Sequence, residues 1–149
     1  RGERYQIKSI VLDYNGTLAV YGKIKEELKE QLIRLSKVAD VYVVTADTYG
    51  TVQKELAGIP IQIRTFLGEC AAREKRNIVM ELGAETVLCI GNGFNDREML
   101  KEAALSFIIA GKEGFYAPLL YVADIVFPTA EDALEALLKK EPIIASLRG

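Results

Sequence analysis

The chain has 149 residues, half of them apolar and about a quarter charged, with a formal net charge of −2 and no histidine. That length supports one domain with a real core and is short for two. The charge excludes an electrostatic nucleic-acid footprint, and the absence of histidine excludes imidazole acid–base chemistry and imidazole-ligated metals.

Two cysteines, Cys70 and Cys89, lack metal-ligand spacing. They read as small buried hydrophobes of a reducing compartment, so the expected location is cytoplasmic. The longest apolar runs fall far short of bilayer length, and none reads as a signal peptide.

In chain order, Arg1 to Lys8 reads as a polar lead-in to a buried strand over Ser9 to Asp13. The run Ile10-Val11-Leu12 stops abruptly at the Asp13 carboxylate. Leu18 to Lys25 alternates loosely around Tyr21-Gly22 and predicts a short hairpin or flap. Leu28, Leu32, Ile33 and Leu35 recur at helical spacing, so Glu26 to Ala39 is an amphipathic helix. Val41 to Val44 is a second strand, ending in Thr45-Ala46-Asp47. A polar turn leads to a helix over Thr51 to Ala57 that stops at Gly58, and Ile59 to Ile63 alternates as a third strand. Glu69 to Leu82 is a helix with Gly83 as its cap.

Thr86 to Ile90 is a fourth apolar strand, broken by Gly91-Asn92-Gly93. Asn95-Asp96 opens a helix to about Ala104. Ser106 to Ala110 is a fifth strand, followed by a turn over Gly111 to Gly114 and helical residues to about Ala123. A short strand over Asp124 to Phe127, a helix over Ala130 to Lys139 and a tail through Pro142 to Gly149 complete the chain. Alternating strands and helices predict an α/β fold: a Rossmann-like three-layer sandwich, its sheet mainly parallel, as one domain over residues 1–149.

In such a sheet the strand C-termini share one edge, where ligands bind. Asp13, Thr45 and the Gly91–Asp96 loop each follow a strand, so topology gathers them there. The result is an oxygen-rich set: carboxylates at Asp13 and Asp96, amides at Asn15, Asn92 and Asn95, and the Thr45 hydroxyl. Gly16, Gly91 and Gly93 permit close backbone approach. This donor set suits Mg²⁺ and a phosphate.

Each residue also has a plainer reading. Asp13-Asn15-Gly16 makes a common turn after a strand. Thr45 serves equally to end its strand, and Asp96 to cap a helix. Lys75 lies in the charged run Arg73-Glu74-Lys75-Arg76, where a solvated cation is the rival and Arg73 or Arg76 are substitutes.

Asp13-Tyr14-Asn15-Gly16-Thr17-Leu18 resembles the first motif of the haloacid dehalogenase-like superfamily. Gly91-Asn92-Gly93-Phe94-Asn95-Asp96 is similar to its fourth motif, and Thr45 and Lys75 fall where the second and third belong. The resemblance implies phosphoryl transfer through an aspartyl phosphate on Asp13. It implies Mg²⁺ held by Asp13, the Asn15 carbonyl, Asn92 and Asp96. Thr45 would bond a phosphate oxygen and Lys75 would offset negative charge. Gly16, Thr17, Ala46 and Gly93 would line the phosphate through the backbone.

Two departures from that pattern matter. Asn15 stands where phosphatases of the superfamily carry a second aspartate, the general acid and base. Asn92 replaces an aspartate that contributes to Mg²⁺ binding. Both predict slow turnover and weak metal affinity, with Asp96 more important. Asp13-Tyr14-Asn15-Gly16-Thr17 and Thr45-Ala46-Asp47 resemble the phosphorylation domains of P-type ATPases, in the form of their soluble archaeal-type relatives. The ending Ile143 to Gly149 fits those relatives too.

The short gaps between motifs leave no room for a cap or a nucleotide domain. A capless site implies a macromolecular substrate or a partner subunit as lid, so homo-oligomerisation is an expectation. The functions in competition are three. One is a slow Mg²⁺-dependent phosphohydrolase acting on a phosphorylated small molecule or macromolecule. The second is a regulatory or binding module with a stable phosphoaspartate. The third and weakest is a metal-free dehalogenase.

Overall fold

The computed structural model describes residues 6–46 and 50–139. Its frame is a six-stranded sheet: β1 (Ser9–Asp13), β2 (Asp40–Thr45), β3 (Gln62–Thr65), β4 (Val87–Gly91), β5 (Leu105–Ile109) and β6 (Ile125–Phe127). All neighbours are parallel, in the order β3-β2-β1-β4-β5-β6. The helices are α1 (Glu26–Leu35), α2 (Thr51–Glu55), α3 (Ala71–Leu82), α4 (Arg97–Glu102) and α5 (Ala130–Lys139). The α/β three-layer expectation is borne out.

Strand alternation builds two cores. Ile10 and Leu12 of β1 join Val43, Ile90 and Phe107 under α1 and α5, where Leu28, Leu32, Leu134 and Leu137 are buried. Val11 joins Val44, Cys89 and Ile108 under α3 and α4, against Ile78, Val79, Met99 and Leu100. By the same two-residue period, Asp13 shares the face of Val11, the face that α3 covers.

The chain leaves β1 for β2 in one direction and reaches β4 in the other. The crevice between β1 and β4 is therefore the switch point where open α/β sheets bind ligands.

Several element boundaries differ from the sequence reading. The third strand begins at Gln62, not Ile59. Pro60 carries no N–H to donate to a ladder, and Ile61 turns back to bond the Ile59 carbonyl. The first helix ends at Leu35, with residues 36–39 in turn. The helix after the Gly91–Asp96 loop splits into a 3₁₀ turn (Phe94–Asp96) and α4. The segment after Gly114 is 3₁₀ over Ala117–Tyr121, and α3 is preceded by a 3₁₀ turn over Gly68–Cys70.

The flap is present. Val20 and Lys23 bridge antiparallel around Tyr21 and Gly22, at φ 52° and 80°. Two positive φ values in succession mark the hairpin turn that matches strand twist. The stretch from Leu18 to Ala39 holds only this flap, α1 and a turn before β2, so no cap follows the first loop. No helix among the described residues is long and apolar enough to cross a membrane. Asp47, the lead-in through Tyr5 and the tail from Pro142 lie outside the described residues. Cys89 is buried as expected, whereas Cys70 is half-buried beside the Arg73 guanidinium.

Candidate active site

Lys75 sits on the stripe of α3 that faces the sheet, with Ala71, Ile78 and Val79. A helix delivers residues three and four apart to one side, so the same stripe that packs the core aims one ammonium inward. That ammonium is almost wholly buried and donates to Asp13 Oδ1 (2.7 Å), Asp96 Oδ1 (2.8 Å) and Asn95 Oδ1 (3.1 Å). All three of its protons are used. Arg76 instead pairs with Glu102 and Arg73 lies beside Cys70, so of the three basic candidates it is Lys75 that reaches Asp13.

Asp96 is fully buried. Its Oδ2 accepts the N–H groups of Asn92 and Gly93, at 3.0 Å each. A Cβ on Gly91 would lie 2.7 Å from this carboxylate, so glycine is required there. With Oδ1 on Lys75, both oxygens of Asp96 are engaged inside the protein. In this arrangement Asp96 orients the lysine and closes its own loop.

Asn92 ties three loops together. Its Nδ2 donates to the Gly16 carbonyl (2.9 Å) and the Gly114 carbonyl (3.3 Å). Its Oδ1 is thereby turned toward Thr17, whose hydroxyl lies 3.4 Å from it and 3.2 Å from Asp13 Oδ2. One hydroxyl proton cannot serve both oxygens, so a carboxylate oxygen and an amide oxygen converge with acceptor capacity to spare. These are hard donors of the kind Mg²⁺ takes, although only one is charged. Among the described residues no cluster of three or more acidic, cysteine or histidine side chains forms a metal cage. The residues present fit Mg²⁺ through one carboxylate oxygen and one amide oxygen.

Three amides of the expected phosphate cradle are engaged within their own loops. The Gly16 N–H bonds the Ala19 carbonyl, Thr17 N–H bonds Tyr14 and Gly93 N–H bonds Asp96, so these amides shape the loops. Gly16 adopts φ 80°, and a Cβ there would lie 2.4 Å from Asn92 Nδ2. Thr45 is buried at the end of β2, one step past Val44, which stands opposite Asp13. Ala46 follows it at the rim.

Burial pushes the Asp13 carboxyl up to about 7, and the charge of Asp96 adds to the rise against the pull of Lys75. Burial works against the Lys75 charge, but Asp13 and Asp96 outweigh it and hold the ammonium above its ordinary value.

The network opens on a cleft of about 380 Å³ lined by Asn15, Gly16, Asn92, Gly93, Glu113, Gly114, Phe115 and Tyr116. The flap is tied to the same region, because Tyr21 N–H donates to Glu113. Of the predicted residues the structure unites Asp13, Thr17, Lys75, Asn92 and Asp96 in one network. Asn95 joins it, and the turn after β5 supplies a wall that sequence reasoning missed. The only signal there was the pair of glycines, Gly111 and Gly114.

No family model matches the chain. It is 36% identical over 78 residues to the uncharacterized protein MJ0073 of Methanocaldococcus jannaschii, covering 50% of this chain and 84% of that protein. It is 54% identical over 39 residues to the uncharacterized protein MJ0072 of the same organism, covering 26% of this chain and 89% of that one.

Among solved structures it resembles 3-deoxy-D-manno-octulosonate 8-phosphate phosphatases. That of Moraxella catarrhalis, in complex with magnesium, phosphate and the sugar acid, superposes with a TM-score of 0.75 at 16% identity, over 94% of this chain and 90% of that one. The cobalt-bound Haemophilus influenzae enzyme gives 0.70 at 16%, over 93% and 92%. The Yersinia pestis enzyme gives 0.71 at 15%, over 94% and 85%. At these identities the likeness establishes the fold.

Proposed function

We propose that this chain, which belongs to the family of the two Methanocaldococcus jannaschii proteins and has the capless haloacid dehalogenase-like fold, is a slow Mg²⁺-dependent phosphohydrolase with Asp13 as nucleophile. The observation that carries the reading is the buried Lys75 ammonium held between Asp13, Asn95 and Asp96 at the switch point of the sheet. Asp13 and Asp96 hold this cation charged despite its burial, so it stands ready beside the nucleophile to meet the charge of an arriving phosphate.

In this mechanism an Asp13 oxygen forms a bond to phosphorus as the ester P–O bond breaks. Water then attacks the phosphorus of the aspartyl phosphate, releasing inorganic phosphate and restoring the carboxylate. Lys75 offsets the negative charge that gathers as nucleophile meets phosphate. Thr45 bonds a phosphate oxygen from the neighbouring strand. Asp13, the Asn15 carbonyl and Asn92 Oδ1 would hold Mg²⁺, with Thr17 orienting the last by its hydroxyl. Bound there, the ion supplies electrostatic stabilisation of the transferring phosphoryl group. Asn15 has no proton to give, so the leaving group departs unassisted, and general acid–base help of roughly 10²–10⁴-fold is forgone.

The test is hydrolysis of p-nitrophenyl phosphate and acetyl phosphate, with Mg²⁺ and with EDTA, by wild type and Asp13→Asn. Metal-dependent turnover lost in Asp13→Asn supports the reading. Turnover that survives the substitution sinks it. A second reading is favoured by Asn15 and by the single carboxylate at the metal position. It is a regulatory module that keeps its phosphoaspartate, and it predicts Asp13-dependent labelling by acetyl phosphate without release of phosphate. Either way the substrate is a phosphorylated small molecule or macromolecule, and the open site leaves a partner subunit as a candidate lid.

A further inference from the structure

Aromatic rings wall the cleft in front of Asn15. Phe94 lies within the loop that supplies Asn92, Asn95 and Asp96, yet its side chain is 68% exposed. Its ring meets Tyr116 edge-on, with centroids 5.2 Å apart and planes at 85°. Tyr116 is mounted on the same loop, since its backbone N–H donates to the Asn92 carbonyl over 2.8 Å. Tyr116 and Phe115 line the cleft together with Asn15. Tyr116 is thus fixed to the Gly91–Asp96 loop, buttressed edge-on by Phe94, and presents ring surface to whatever occupies the cleft. Aromatic rings so held stack flat ligands at little entropic cost.

Asn15 points to the same ligand from another direction. A leaving group that receives no proton must depart as its anion. A phenol ionises near pH 10, whereas water ionises only near 15.7 and aliphatic alcohols behave similarly. Aryl esters therefore suffer least from the missing acid.

We infer that the site takes aryl phosphate monoesters, with the ring of the leaving group against Tyr116, and Phe94 supporting the Tyr116 ring from behind. This rests on the phosphohydrolase reading and names its substrate class. Asp13 forms the new P–O bond as the aryl P–O bond breaks, and the phenolate leaves with the bonding electrons and takes a proton from water. A second water then cleaves the aspartyl phosphate, yielding inorganic phosphate and a proton to solvent. An aryl phosphate reaches the cleft either as a free small molecule or as a phosphotyrosyl side chain.

Phenylphosphonate and methylphosphonate carry the same anion without a hydrolysable ester, so their calorimetric binding with Mg²⁺ reads the rings apart from turnover. The wild type is expected to favour phenylphosphonate by at least about tenfold, and Phe94→Ala or Tyr116→Ala to erase most of that ratio. Equal affinity, no binding of either, or a ratio that survives both substitutions overturns the proposal.

Turnover separates this from the parent reading, because acetyl phosphate has no ring. Hydrolysis of acetyl phosphate without preference for phenyl over ethyl phosphate overturns the aryl assignment alone. Preference for phenyl phosphate, with an aryl-to-acetyl ratio of kcat/KM that falls about tenfold in Phe94→Ala, supports it. Faster hydrolysis of a phosphotyrosyl peptide than of phenyl phosphate assigns the macromolecular source, and the reverse order assigns the small molecule.

Discussion

The two sides of the crevice between β1 and β4 are built on opposite principles. On the α3 side, Asp13, Lys75 and Asp96 form a buried ionic network in which nearly every donor and acceptor is engaged. On the cleft side, Asn15 and Asn92 present uncharged amides, and Phe94 and Tyr116 are open to solvent. Under the proposed phosphohydrolase function the difference would separate two tasks of phosphoryl transfer. Holding and charge-balancing the Asp13 nucleophile would fall to the ionic side. Protonating a leaving group and binding a metal by charge would each be weakened by an amide, Asn15 or Asn92, in place of a carboxylate. On that reading the site would form a phosphoaspartate more readily than it would support rapid turnover of poor leaving groups.

The contrast can be broken from either side. The largest effect is expected on the ionic side, where Asp13→Asn should abolish turnover and labelling, as phosphate-release assays and mass spectrometry would record. Lys75→Ala comes next. It leaves two carboxylates buried without their cation, and the loss should be about 3–5 kcal/mol by denaturant unfolding. A loss within the usual surface range would mean the lysine is not the centre of the network.

On the cleft side, Asn15→Asp should raise kcat/KM for ethyl phosphate by about 10²-fold or more and raise it far less for acetyl phosphate. Equal gains would show that leaving-group protonation is not what limits the site. Asn92→Asp should destabilise the metal-free protein by about 1–3 kcal/mol, because a carboxylate would face the Gly16 and Gly114 carbonyls that the amide now satisfies. Added Mg²⁺ should recover part of the loss, which thermal melts in EDTA and in Mg²⁺ would compare.

The smallest effect is that of pH. The folded pKa of Asp13, about 7, lies above its ordinary 3.8. Its contribution to stability is therefore present in full at low pH and lost as pH rises through neutrality. Melts in EDTA should show Tm declining from pH 5 to pH 8, with a shallower decline in Asp13→Asn.

Much of this was legible in the chain itself. The apolar run Ile10-Val11-Leu12, stopping at Asp13, placed that carboxylate at a strand end, and the alternation of strands and helices fixed where that end points. The glycines around Asn92 marked a loop that passes close to other groups. Lys75 could be ranked above its neighbours only by the phase of α3, since it shares a stripe with Ala71, Ile78 and Val79 while Arg73 and Arg76 do not.

What stayed hidden depended on contacts between distant segments. The Asn92 amide is committed by Gly114, a residue of the turn after β5. Asp96 is committed by a lysine 21 positions before it. No local pattern encodes either pairing. The third strand was misplaced because Ile59 and Ile61 alternate correctly, while Pro60 between them cannot join a ladder.

The central claim is that Asp13 accepts a phosphoryl group. The most direct measurement is to treat the protein with acetyl phosphate and Mg²⁺, trap acyl phosphates with borohydride and map the modified residue by mass spectrometry. The account predicts modification at Asp13, dependent on Mg²⁺ and absent in Asp13→Asn. Phosphate release without any trapped Asp13, or labelling at another residue, would contradict it.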